Sequence, residues 1–284
     1  MTFIASNGLT EAGTSKTIQA GGMTIHYHDI GTGEPVIFLH SYGPGTTAWI
    51  TFYKTLGVLA QHFRCILMDM PNFSKTEPIV YHEGVHAVQA RTAIALMDAL
   101  GIPRAHFVGN SQGGQSSMVV AITYPDRINK FVMGGSHIGT GGDRYLMANR
   151  PSEGNRATRE ALANPTRENI RRYLRVHIDG EALVTDELVD YIHTAHTWSP
   201  AFEEARQQSV SVPHDYTPEL ANIQAPVLLI HGRYDRMVAF EVSIAILNHI
   251  ADSRLVLFNN CGHWPPFEKP EEYTSQVLHF LKGY

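Results

Sequence analysis

The stretch Ala105-His106-Phe107-Val108-Gly109-Asn110-Ser111-Gln112-Gly113-Gly114-Gln115-Ser116-Ser117-Met118 decides how the rest of the chain is read. An apolar run leads into a serine flanked by glycines, and a helix-like segment follows to about Tyr124. This reads as a strand, a sharp turn and a helix, with Ser111 at the apex. The Gly-x-Ser-x-Gly spacing has a steric reason. A serine on so tight a turn adopts a left-handed conformation, and the helix then passes close to the strand it has just left. Glycine at 109 and 113 leaves room for that approach. The turn lifts the hydroxyl above the sheet and aims the free N–H groups of a helix N-terminus at it.

Outward from this turn the same rhythm repeats. Thr17 to Gln19 and Met23 to His28 read as short strands around Gly21-Gly22, and Gly31-Thr32-Gly33 as a turn. Pro35 to Leu39 is a continuous apolar run, suited to a strand buried on both faces. Phe52 to Leu59 is expected as a helix, Cys65 to Met68 as a strand, and Gly84 to Leu100 as a helix stopped at Gly101. Lys130 to Met133, Pro226 to Ile230 and Arg254 to Phe258 complete eight strands, and Glu271 to Leu281 closes the chain as a helix. Alternating strands and helices imply a mostly parallel eight-stranded sheet with helices on both faces. Functional groups then belong at the carboxyl ends of the strands.

Between His137 and Pro213 the strand rhythm stops. Arg167 to Val176 and Asp186 to His196 carry helical spacing, with Thr185 or Asp186 as N-cap. We read residues 1–137 and 214–284 as an α/β core and residues 138–213 as an inserted helical lid.

The chain has 284 residues, 43% of them hydrophobic, enough for one large core. A net charge of −5 and no basic stripe argue against nucleic acid as a partner. Cys65 and Cys261 have neither metal-ligand spacing nor a disulfide framework, which points to a reducing compartment. The first 22 residues hold no apolar signal core, and no run approaches the ~20 apolar residues of a spanning helix. A cytoplasmic protein with a small-molecule substrate, no membrane partner, no metal and no organic cofactor is expected. Self-association to a homo-oligomer is left open.

A serine hydroxyl is a poor nucleophile near neutral pH. It needs a base, and the base needs an orienting carboxylate. Asp235 follows the Pro226–Ile230 strand, and His263 follows the Arg254–Phe258 strand. The order Ser111, Asp235, His263 is that of the α/β-hydrolases. Asp215 is a weaker rival because it lies off a strand end. His40 sits in a loop where a structural role is favoured, and His231 lies too close to its strand for a mobile base. Oxyanion donors are expected at the backbone N–H groups of Gln112 and Tyr42.

The chain resembles the meta-cleavage product hydrolases, α/β-hydrolases that cut a carbon–carbon bond in ring-fission products of aromatic compounds. The resemblance rests on Gly43-Pro44-Gly45 followed by Trp49, on Gly109-Asn110-Ser111-Gln112-Gly113-Gly114, on Asp235-Arg236, and on Cys261-Gly262-His263-Trp264. The segments Pro165 to Asn169 and Thr185 to Leu188 are similar too. It implies an α/β-hydrolase fold and a substrate with a carboxylate beside an enol, conjugated to a second ketone. Gly43, Asn110 and Trp264 would contact it. The departures concern substrate reading. The family's carboxylate-gripping lid arginine is Ile192 here, its asparagine just after Trp49 is Thr51, a usual glycine is His137, and the small donor-loop residue is Tyr42. Isoleucine cannot replace a bidentate guanidinium. His137 or Arg144 are candidate replacements, and arginine at 192 is expected to improve binding of carboxylate-bearing dienols. A carboxylic ester or lactone hydrolase on the same triad stays open, as does a ligand-binding protein with an idle triad. Serine at position 111 argues against the dehalogenases and epoxide hydrolases of this fold, which use aspartate.

Overall fold

The computed structural model describes residues 3–137, 152–197, 200–210, 212 and 214–283. Eight strands form one sheet: β1 Ser15–Ala20, β2 Met23–Ile30, β3 Pro35–Leu39, β4 Arg64–Met68, β5 Ala105–Asn110, β6 Ile128–Gly134, β7 Val227–Gly232 and β8 Ser253–Phe258. Their order across the sheet is β1-β2-β4-β3-β5-β6-β7-β8. Only β2 runs against its neighbours; β4 through β8 are parallel. Their carboxyl ends therefore share one edge. The order reverses between β3 and β5, which opens a crevice where those two strands end.

Alternation along each central strand divides the core in two. Val36 and Phe38 of β3, Val108 of β5 and Val132 of β6 face one cluster. Ile37, Leu39, Phe107, Phe131 and Met133 face the other. The second face is covered by α1 (Val85–Ala99), α2 (Gln112–Thr123) and a later helix, Glu241–His249. The first is covered by the closing helix Pro270–Lys282 through Tyr273, Val277 and Phe280.

A helical insertion lies between β6 and β7. Its described helices are α3 (Glu153–Ala163), α4 (Arg167–His177), α5 (Asp186–Thr197) and α6 (Pro200–Gln208), so Glu241–His249 and Pro270–Lys282 become α7 and α8. Tyr173, Leu174, Leu188, Val189 and Ile192 carry the first core cluster into this insertion. Thr185 is the α5 N-cap, its hydroxyl accepting the Leu188 N–H at 3.2 Å.

One expectation about helices needs correction. Phe52 to Leu59 is not one helix: Ala48–Phe52 is α-helical, Tyr53–Thr55 tightens to 3₁₀, and Leu56–Leu59 is a separate turn. The hydroxyls of Thr51 and Thr55 donate back to the carbonyls of Thr47 and Phe52, which favours such tightening. The insertion is helical as expected; α3 and α6 within it, and α7 in the core, are helices whose bounds the sequence does not set. Arg144 lies outside the described residues, as do positions 138 to 151 as a whole.

Candidate active site

Ser111 closes β5 with φ 52° and ψ −118°, a strained backbone for a residue with a side chain. The flanking glycines are sterically required. A Cβ on Gly109 would lie 2.3 Å from the Gly113 carbonyl oxygen, and one on Gly113 would lie 2.0 Å from that of Leu39. The Ser111 N–H donates to Gly134 O at 2.5 Å, which pins the turn to the end of β6.

Asp235 leaves β7 in a tight turn, and its side chain is fully buried. Its Oδ1 accepts the N–H groups of Met237 at 2.7 Å and Val238 at 2.9 Å. Its Oδ2 accepts from His263 Nδ1 at 2.7 Å and His231 Nε2 at 3.0 Å. Burial alone would raise this carboxyl. The two imidazoles outweigh it and hold the pKa well below the usual carboxylate range. The anion therefore keeps the proton of His263 on Nδ1, leaving Nε2 as the acceptor.

His263 comes to the same strand ends. A Cβ on Gly135, just beyond β6, would lie 3.1 Å from its Nδ1 and 3.2 Å from its Cε1. Asn110, beside Ser111, donates through Nδ2 to His263 O at 3.1 Å and to Ser41 Oγ at 2.7 Å. One side chain thus ties together the serine turn, the donor loop and the histidine loop. Asn110 Oδ1 has no protein partner among the described residues.

Three further residues brace this arrangement; the sequence carries no signal for Glu268 or His177, and His231 reads there only as a rival base. Glu268 accepts the N–H groups of Gly262, Trp264 and Asp179 at 2.8, 2.8 and 2.7 Å, fixing the histidine loop to the end of α4. His177, from α4, lies with its ring 5.4 Å from that of His263, and its carbonyl accepts the His263 N–H at 2.7 Å. His231 Nε2 also faces the Val238 carbonyl at 3.1 Å, so that nitrogen carries the proton, and Nδ1 accepts from Ser243 Oγ at 2.7 Å. His231 is thus locked rather than mobile.

The remaining candidates divide. Gln112 opens α2, where backbone N–H groups have no intrahelical acceptor. The Tyr42 N–H makes no hydrogen bond among the described residues. His40 is structural: Nδ1 donates to Ser41 O at 2.7 Å and Nε2 accepts the Met70 N–H at 3.0 Å. Asp215 caps the Thr217 turn at 3.0 Å. Thr51 spends its hydroxyl on Thr47 O at 2.8 Å. His137 takes Gln115 Nε2 at 3.2 Å. Trp264 is fully buried, and its indole N–H is unpartnered among the described residues. Gly43 lies under α4, where a Cβ would meet the Tyr173 hydroxyl at 2.2 Å.

Residues 34–270 match the α/β-hydrolase fold family. A 2-hydroxy-6-oxo-6-phenylhexa-2,4-dienoate hydrolase of Comamonas testosteroni is 35% identical, with 96% of this chain and 98% of the relative aligned. A 2-hydroxy-6-oxononadienedioate/2-hydroxy-6-oxononatrienedioate hydrolase of Burkholderia vietnamiensis is 34% identical over 96% and 97% of the two chains. The chain belongs to the meta-cleavage product hydrolase family. The crystal structure of a serine-to-alanine variant of the Pseudomonas fluorescens IP01 meta-cleavage product hydrolase, complexed with acetates, agrees: TM-score 0.81, 30% identity, 94% and 97% coverage. Members are carbon–carbon bond hydrolases of aromatic degradation, and this chain is a hydrolase of that class.

Against the family pattern, Ile192 has a clear environment. It is fully buried in the first core cluster, and its carbonyl sits where a Cβ on Gly45 would come within 2.0 Å. An arginine there would enter an apolar core rather than a cavity. The expected improvement in carboxylate binding is replaced by a stability cost. Ile192→Arg should lose about 3 kcal/mol or more in urea unfolding, with no gain in carboxylate affinity.

His26, His28 and Asp69 bring three possible ligand atoms within 4.8 Å, all buried. Most of those atoms are already engaged. His26 Nδ1 bonds Asp69 at 2.6 Å, His26 Nε2 faces Ser15 Oγ at 2.7 Å, and His28 Nδ1 faces Thr14 Oγ1 at 2.9 Å. Asp69 also accepts the Ala48 N–H at 2.7 Å, so the cluster braces the start of the donor-loop helix. Cys65 and Cys261 are buried and unbridged. No helix among the described residues is long and apolar enough to cross a membrane.

The buried imidazoles predict acid sensitivity. Burial pushes His28 down to about 4 and His177 down to about 3, against 6.5 in an unfolded chain. Below pH 6.5 the unfolded chain takes up protons that the folded chain does not, so stability falls as pH drops toward those lower values. At pH 5 the two groups together cost about 4 kcal/mol. Glu11 and Glu268, whose carboxyls burial pushes up, act in the opposite sense and trim the loss. A lower urea midpoint at pH 5 than at pH 7 is expected; equal midpoints would show these imidazoles are accessible to protons.

Proposed function

We propose that this chain hydrolyses the carbon–carbon bond next to the distal ketone of a 2-hydroxy-6-oxo-dienoate, a vinylogous diketone. The observation that carries the reading is the buried Asp235–His263 pair held at the serine turn, in a chain aligned end to end with hydrolases of that substrate class. Ser111 is the nucleophile or the residue that positions water, His263 the proton carrier, and Asp235 its orienting anion. His263 moves the enol proton toward carbon to give the keto form. Attack on the distal carbonyl follows, with the oxyanion received by the N–H groups of Gln112 and Tyr42. The bond to the neighbouring carbon then breaks, its electron pair delocalises into a dienolate that takes up a proton, and the acyl carbon leaves as a carboxylic acid whose second oxygen comes from water, either as the attacking nucleophile or by hydrolysing the ester on Ser111. Gly43, Asn110 and Trp264 border the substrate in this scheme, with the Trp264 N–H free to donate. The insertion over residues 138–213 acts as the lid on the core formed by 1–137 and 214–284.

The test is a coloured dienol-dienoate mixed with enzyme. Bleaching with release of one carboxylic acid per dienoate is expected. Persistence of the colour, with rapid turnover of simple aryl acetates, would overturn the reading in favour of ester hydrolysis.

A further inference from the structure

Two cavities meet beside the donor loop. The larger, about 640 Å³, is lined by Gly43, Gly45, Thr46, Phe73 and, from α5, Ala195 and His196. The smaller, about 270 Å³, is lined by Tyr42, Phe73, Tyr81, Gln89 and Gln112. Arg206 of α6 lines both, and among the described residues no other arginine lines either. Its side chain is 28% exposed, so it is reachable from the cleft without being free in solvent. Among the described residues, four of the six other lid arginines are committed to acidic partners elsewhere: Arg167 to Asp190, Arg171 to Asp186, Arg172 to Glu160 and Arg175 to Glu181.

The charge of Arg206 acts on its neighbours. Burial pushes the Tyr42 phenol up, and the guanidinium works against that. Burial lowers His196 to about 4, and Arg206 adds to the lowering. His196 is therefore neutral near pH 7, and the cation in this corner is the guanidinium. Its carboxylate partner is Glu203, one turn earlier on α6 and 44% exposed. The Tyr42 hydroxyl also hydrogen-bonds the guanidinium; with five N–H donors in a planar fork, these two partners still leave capacity for a second carboxylate. Tyr42 and Gln112 are also the residues whose N–H groups are assigned to the oxyanion, so the smaller cavity that Arg206 lines adjoins the oxyanion donors.

We propose that Arg206 is the carboxylate-binding residue of this cleft, a specificity site supplied from α6 where position 192 on α5 offers only a core isoleucine. The inference rests on the dienoate reading above for the identity of the anion. Glu203 acts as the built-in competitor for the same guanidinium, filling it when the site is empty and yielding when substrate arrives.

The experiment compares a dienol-dienoate with its methyl ester, using Arg206→Gln, Arg206→Lys and Glu203→Gln. Arg206→Gln should raise KM for the acid about 10- to 100-fold, the range of a lost charge-assisted pair, while KM for the neutral ester stays within about twofold. Arg206→Lys should recover part of the loss, and Glu203→Gln should lower KM for the acid. If the acid is not turned over at all, its inhibition of aryl acetate hydrolysis is measured in the same variants. A selective loss of inhibition in Arg206→Gln then supports the anion site while overturning the bond assignment. Equal changes for acid and ester, or none for either, would overturn the role of Arg206.

Discussion

Ser111→Ala should lower kcat on the dienol-dienoate by about 10³-fold or more, with little change in KM and none in the unfolding midpoint. The midpoint is expected to hold because the backbone strain at φ 52° is borne by serine already, and among the described residues the Ser111 side chain makes no hydrogen bond that the fold would lose. What remains after removal of the hydroxyl is the oxyanion pair, the bound substrate and His263. These roles predict a separation between two variants. Ser111→Ala leaves the proton carrier intact, so the dienol absorbance should still shift as the keto form accumulates, without release of the acid. His263→Ala removes both steps, and the dienol spectrum should persist. Stopped-flow spectra resolve the two cases. A Ser111→Ala enzyme that releases product at the parent rate would remove the serine from the mechanism.

Much of this site was legible before any coordinates, for a physical reason. A strand buried on both faces reads as an apolar run: Pro35–Leu39 and Val227–Ile230 are unbroken, and Ala105–Val108 is interrupted only by His106. Glycines that a Cβ would drive into backbone, such as Gly109 and Gly113, cannot be disguised. Polar insertion helices are harder. The α3 segment, Glu-Gly-Asn-Arg-Ala-Thr-Arg-Glu-Ala-Leu-Ala, buries only Gly154, Ala157, Thr158 and Ala161, small residues that leave no hydrophobic stripe. The α7 segment is rich in β-branched residues and reads equally as strand.

The bracing residues were invisible for a different reason: their meaning lies in what they touch. Glu268 looks like a surface carboxylate in sequence, yet it gathers three N–H groups from two loops. Asn110 adjoins the nucleophile and invites a substrate-contact reading, yet its amide nitrogen is occupied by the protein and only its oxygen remains available. Ile192, expected from the resemblance at a substrate-reading position, packs into the core, while Arg206, fourteen residues later, lines the cavity. Alignment fixes where a backbone runs; it does not fix which neighbouring helix supplies a charge.

Asp235→Asn should keep the fold and lower kcat about 10⁴-fold, an effect of proton placement rather than of lost structure. The carboxylate receives four donors: two backbone N–H groups at Oδ1 and two imidazoles at Oδ2. An amide has one oxygen and one NH₂. Its oxygen must serve Met237 and Val238, or their buried N–H groups go unpaired. The NH₂ then faces both imidazoles and needs an acceptor. His231 cannot oblige, because its Nε2 proton is fixed by the Val238 carbonyl at 3.1 Å and by the Ser243 hydroxyl across the ring. His263 can, by moving its proton from Nδ1 to Nε2. That leaves an N–H pointing away from residue 235, where a lone pair is needed to accept the serine proton, and a neutral partner for any imidazolium that forms. The loss should therefore be in kcat and should ease as pH rises, since hydroxide can substitute for the missing base. Asp235→Glu, which keeps the charge but displaces it, should lose less catalysis and more stability than Asp235→Asn. Equal rates for Asn and the parent enzyme at pH 7 would show that this carboxylate does not set the tautomer of His263.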